Sequence, residues 1–177
     1  MINRNIVTGL LILLCLFAAV WAANGQTHIR AMGGISVPQR TEQPHQTTKF
    51  GLAGAGWSTG INVMIGHIHF DGGLLISTSY GDYDANTTHI GSPRLKLLRA
   101  EIGAFTHFPF VNQELYLFGS FGKAFQFDPI HNNGFGGSVG ATYETAKRYG
   151  IYARYGYYNL GLNTVSMLEA GLSLKVF

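Results

Sequence analysis

The stretch His67-Ile68-His69-Phe70-Asp71 alternates two imidazoles and a carboxylate with apolar residues. On an extended strand every second side chain shares a face. His67, His69 and Asp71 therefore form a weak candidate metal site, since imidazole and carboxylate are both zinc ligands. The plainer reading is a turn histidine followed by the polar face of a strand. Further on, Asp82, Asp84 and Asn86 alternate as at the start of a calcium loop. The glycine expected next is Thr87, and Pro93 stands where the closing Glu belongs. A polar surface loop accounts for that stretch as well. His45, His89 and His131 fall in three separate polar stretches, where a shared rim cluster would bind metal or sense pH and solvated loop histidines are the simpler reading. No His-x-Ser of the kind lipid A deacylases carry occurs, and G-x-S-x-G is absent. The glycine-rich stretches GLAGAGWSTG and GFGGSVG do not space as G-x-G-x-x-G. No catalytic residue and no cofactor is implied.

A second set of chemical groups is more regular. Arg30, Arg99, Glu101, Glu144, Arg154, Glu169 and Lys175 each lie between apolar neighbours in alternating runs. They share their strand faces with glycine and serine, as Asp71 does. Both charge signs are present in near balance. Charges confined inside a narrow barrel must pair, because an unpaired buried charge is costly. Glu144 and Arg154 lie on adjacent runs and are expected to meet.

Eight such runs position these groups, at about residues 28–38, 50–65, 68–80, 97–108, 115–125, 134–145, 150–158 and 167–177. In the first, Ile29, Ala31, Gly33, Ile35 and Val37 oppose His28, Arg30 and Ser36. In the last, Leu168, Ala170, Leu172, Leu174 and Val176 oppose Glu169, Gly171, Ser173 and Lys175. The 115–125 run is apolar on both faces, so its parity is open. Gly66-His67 suits a two-residue turn. Longer polar connections at 39–49, 81–96 and 126–133 alternate with short ones. That rhythm predicts an up-and-down meander with its long loops at one end.

Composition separates the two barrels that fit. Charged residues make up 12% of the 177-residue chain, about half the usual share. Aromatics reach 13%, and there are 24 glycines. A soluble barrel carrying a hydrophobic ligand would turn its apolar faces inward; a membrane barrel turns them toward lipid and keeps a polar lumen. Most runs match the 9–11 residues that cross a tilted outer-membrane wall. Aromatics gather at run ends as girdles require: Phe108, Phe110, Tyr116, Tyr149 and Phe177 at the short-turn end, Tyr80, Phe125, Tyr157 and Tyr158 at the loop end. The formal charge of +3 is spread without a basic cluster, so nucleic-acid binding has no support.

Residues 1–25 read as a secretory signal peptide, with Arg4 ahead of an apolar block from Ile6 to Ala23 and small residues after it. Cleavage fits best after Gly25, with Val20-Trp21-Ala22 as a rival site; a retained anchor helix is the alternative. Cys15, the sole cysteine, lies inside that block, so residues 26–177 can form no disulfide among themselves. The expected fold is all-β: an eight-stranded antiparallel up-and-down transmembrane β-barrel after a cleaved signal peptide.

Taken with IRAMGGISVP, LYLFGSFGKAF and the closing GLSLKVF, residues 26–177 resemble the small outer-membrane β-barrels, the OmpA-like and OmpX-like group. The resemblance is architectural. It implies insertion by the barrel-assembly machinery, with Phe177 as the assembly signal, outer-membrane lipid as the surroundings and a monomeric state. It implies no activity. The expected function is non-enzymatic, in envelope integrity or surface contacts through the loops, with no general porin activity. A lipid-modifying outer-membrane enzyme and a secreted soluble barrel are the alternatives. In the family the terminal Phe shares parity with the lipid face, whereas Phe177 is odd and the apolar face of its run is even. A bulge near Lys175-Val176 is expected to restore the match.

Overall fold

The computed structural model describes residues 27–43, 46–49, 56–67, 70–84, 94–110, 113–128, 131–145, 148–161 and 164–176. Every element among them is a strand. They are β1 (Thr27–Gln43), β2 (Gln46–Lys49), β3 (Gly56–His67), β4 (Phe70–Asp84), β5 (Arg94–Phe110), β6 (Gln113–Asp128), β7 (Asn132–Thr145), β8 (Tyr149–Asn159) and β9 (Thr164–Lys175). All pairings are antiparallel between chain neighbours, apart from the short β2. β1 also pairs with β9, from Arg30↔Lys175 to Glu42↔Thr164. That seam closes eight strands into a ring and leaves no open edge for lipid to satisfy. Gly34 and Gly171 face each other across it, and a Cβ on either would collide with the opposite backbone.

Alternation decides which face looks out. On β9, Leu172 is 70% exposed while Glu169 is 0%. Ile35, Ile61, Phe121, Val139, Ile151 and Leu168 likewise stand outside, while the described strands keep their serines and the six charges Arg30, Arg99, Glu101, Glu144, Arg154 and Glu169 inside. A soluble barrel would invert this arrangement, so the secreted carrier is excluded by the wall itself. The open parity of the 115–125 run is resolved. Tyr116, Phe118 and Ala124 point inward, while Leu117 and Phe121 point outward.

The strands run further than the apolar alternation. β4 and β5 stay paired through Asp82↔Lys96 and Asp84↔Arg94. β6 continues to Asp128 and β7 begins at Asn132. The polar stretch 39–49 is not a loop throughout, because β1 extends to Gln43 and β2 folds back on it. Backbone pairing needs no apolar side chains once the strands project beyond the bilayer, so alternation lapses there. Gly66-His67 is strand rather than turn, with a register shift between them, and β3 runs to His67 before β4 begins at Phe70. The bulge expected near Lys175-Val176 is also absent. Lys175 N–H bonds Arg148 O at 2.8 Å and Val176 N–H bonds Ile29 O at 2.7 Å, both in unbroken register. The shift in this seam lies between Pro38 and Arg40 instead, beside a proline that cannot donate to the ladder. Phe177 itself lies outside the described residues.

Candidate functional site: the ionic lumen

Three arginines and three glutamates meet inside the barrel: Arg30, Arg99 and Arg154 with Glu101, Glu144 and Glu169, all buried. The strand period aims each of them inward. Their partners come from across the ring more often than from the next strand.

The loop-end half holds a connected network. Glu169 (β9) accepts Arg99 Nη2 (β5) at 2.6 Å on one oxygen and Arg154 Nε (β8) at 2.6 Å on the other. Arg154 is its direct ladder neighbour. Arg99 comes from the diametrically opposite strand, four places round the ring. Tyr83 OH adds a third donor to Glu169 at 3.3 Å. Arg154 also reaches Ser79 Oγ at 3.2 Å, and its Nη1 lies 3.9 Å from Glu101. Glu101 accepts Tyr158 OH at 2.6 Å and the hydroxyls of Ser120 and Ser138 at 3.0 Å each. The Arg99 guanidinium lies 5.7 Å from the Tyr158 ring centre and donates to Met167 Sδ at 3.0 Å. Tyr83 and Tyr158 reach these acids by lying over Gly81 and Gly156, where any Cβ would collide with the rings.

The short-turn half holds one pair. Arg30 (β1) grips both oxygens of Glu144 (β7), with Nη2 to Oε2 at 3.0 Å. Its guanidinium lies 4.0 Å above the Tyr116 ring, and Nη1 touches Met64 Sδ. His107 stacks on the same tyrosine, with centroids 4.7 Å apart. Glu144 thus meets Arg30 rather than Arg154, because the ladder puts Gly140 opposite Arg154. Lys175 is half-buried beside Arg30 in the seam and contacts none of the three carboxylates among the described residues.

Apolar clusters close both ends. Tyr83, Leu95, Leu97, Ala124, Tyr158, Leu160, Val165 and Met167 fill the loop end. Met64, Leu75, Phe105, Tyr116 and Phe118 fill the other. Tyr116 and Tyr158 therefore belong to the lumen and not to the lipid girdles. Phe108, Tyr149 and Tyr157 are exposed as girdle residues should be, and Tyr80 packs on Trp57 with ring centres 5.5 Å apart. Every one of the three carboxylates is committed to at least two donors, so the arrangement holds walls together and presents no free base to solvent.

The weaker sites come apart. His67 ends β3, Asp71 lies in β4 and the intervening position 69 is outside the described residues, so the trio is not on one strand. Asp82 and Asp84 sit in a ladder opposite Lys96 and Arg94 rather than in a loop; Asn86 lies outside the described residues. His131 is exposed, and His45 and His89 are outside the described residues. No group of three metal-ligating side chains occurs among the described residues. Tyr83, Met64, Met167, Ser79, Ser120 and Ser138 belong to the network without having been expected there, as does Tyr158, which was expected in the girdle. Their strand parity signalled it: Tyr83 follows Ser77 and Ser79, and Tyr158 follows Arg154, at alternate positions.

The chain matches no protein-family model and no curated protein sequence. Among solved structures it is similar to Ail, the attachment invasion locus protein of Yersinia pestis, at 16% identity and TM-score 0.55, covering 86% of this chain and 99% of that one. Neisserial surface protein A aligns at 18% identity and TM-score 0.51, over 84% and 96%. The outer membrane enzyme PagL aligns at 11% identity and TM-score 0.55, over 84% and 99%. The shared property is the fold. An apolar outer wall around a packed ionic lumen, on the fold of these barrels, places this chain in the bacterial outer membrane.

Proposed function

We propose that this chain is a non-enzymatic outer-membrane barrel with a side-chain-filled lumen. It acts in envelope integrity or in surface contacts through the extracellular end of the barrel, the strand projections and connections at 39–49, 81–96 and 126–133. The filled lumen carries the reading: two apolar clusters and six committed charges occupy the space a solute would need. In the same reading residues 1–25, which lie outside the described residues, are a cleaved signal peptide. The barrel-assembly machinery recognises the last strand with Phe177, and the barrel works as a monomer in lipid.

The test has two arms. Purified barrel in liposomes should give no swelling with small sugars beyond protein-free vesicles; porin-like swelling overturns the filled lumen. Cells lacking the chain should admit a hydrophobic dye faster or attach less well to surfaces. Normal behaviour in both assays, or turnover of a membrane lipid by the purified barrel, overturns the role.

A further inference from the structure

The outer wall is not uniform. A groove of about 620 Å³ runs over β5 to β8, lined on its outer side by Ile102, Phe121, Val139, Tyr155 and Tyr157. Its volume lies within the ~300–1,000 Å³ of small-ligand sites. Its floor is Gly119 and Gly137, which share the outward parity of Phe121 and Val139. Gly137 needs to be glycine, because a Cβ there would collide with the Ser120 carbonyl. Gly119 does not: a Cβ would meet nothing nearer than Val139 Cγ1 at 3.8 Å. Glycine weakens a strand, and no close backbone approach accounts for this one. What its missing side chain creates is the groove.

A cation stands above it. Lys123 is two residues further toward the loop end of β6, on the same outward parity as Gly119 and Phe121. Its ammonium lies 5.1 Å from the Phe125 ring centre and 6.0 Å from that of Phe135. Phe135 is exposed and stacks on Phe121 at 6.1 Å. Among the described residues Lys123 meets ring faces and no carboxylate. The loop end of such a barrel is extracellular, so Lys123 sits near headgroup level of the outer leaflet. An apolar slot of that volume beneath a cation with no carboxylate partner among the described residues matches an acyl chain beneath a phosphate.

We propose that this groove holds one molecule of the phosphorylated glycolipid of the outer leaflet, with an acyl chain over Gly119 and Gly137 and a phosphate on Lys123. The proposal rests on the membrane reading above. The experiment uses the full barrel in detergent micelles doped with lipid A, phosphatidylglycerol or phosphatidylcholine, with retained lipid read by native mass spectrometry. Lipid A should be retained over phosphatidylcholine. Lys123→Ala should lower its retention about fivefold, and Gly119→Leu at least about tenfold by filling the slot. Gly33→Leu is the control. Gly33 is exposed on β1 with room for a Cβ, whose nearest neighbour would be Ser58 O at 4.0 Å, and its retention should match the parent. A heat-dependent gel shift verifies that each variant is folded. Equal retention of all three lipids, an unchanged Lys123→Ala, or a dimer cross-linked through this face overturns the proposal. Absence of the gel shift in the parent barrel overturns the membrane reading instead.

Discussion

The two ends of the lumen solve the same problem differently. Toward the loops, Glu169 takes two arginines and a tyrosine, and Glu101 takes a tyrosine and two serines. Toward the short turns, Glu144 has a single arginine, which it holds with both oxygens. The first arrangement shares each charge among several walls. The second concentrates it in one clasp, padded by a methionine sulfur and a tyrosine ring. Buried charge is tolerated when the geometry and remaining hydrogen bonds are complete. Sharing makes any one donor dispensable but makes the shared acid indispensable.

That contrast predicts an order of losses, measured as shifts in the urea midpoint of the vesicle-inserted barrel followed by Trp57 fluorescence. Glu169→Ala strands two buried arginines and should cost most, about 3–5 kcal/mol. Glu144→Ala strands one, which keeps Met64 and Tyr116, and should cost about 3 kcal/mol. Equal losses in these two variants would break the distinction between shared and clasped charge. Tyr158→Phe removes one donor from Glu101 but keeps the ring over Gly156, for about 1–3 kcal/mol. Ser138→Ala should cost least, about 0.5–1.5 kcal/mol, since Ser120 still reaches the same oxygen. A Ser138 loss as large as that of Tyr158 would mean that Glu101 depends on its serines rather than sharing load among donors.

The sequence made the wall legible and left the lumen's wiring obscure. Period-two alternation marked in and out on seven of the eight ring strands, because lipid tolerates only apolar side chains on one face. It failed on β6, where Tyr116 and Phe118 are packing for the lumen and Leu117 and Phe121 are wall. Aromatic type alone cannot separate those uses, which is why Tyr116 and Tyr158 read as girdle. All six lumen charges were visible, but the expected Glu144–Arg154 contact was not the one formed. Partners three or four strands apart depend on the stagger of the closed ring, which no local pattern encodes. The β1–β2 hairpin was hidden for the opposite reason, since strands outside the bilayer pair through backbone alone.

The cross-lumen ties also set an order of events. Arg30 and Glu144 are 114 residues apart, and Arg99 and Glu169 are 70 apart. Neither pair can form while the sheet is a half-rolled ribbon. Arg154 and Glu169 can meet on adjacent strands, but until β1 finds β9, Arg30, Glu144 and Arg99 must stay hydrated, so the growing sheet has to carry its own water with it. Expelling that water and joining the ions is then a single late event, the latching of the closed barrel. A variant that weakens the ties should speed unlatching more than it slows the first insertion of strands.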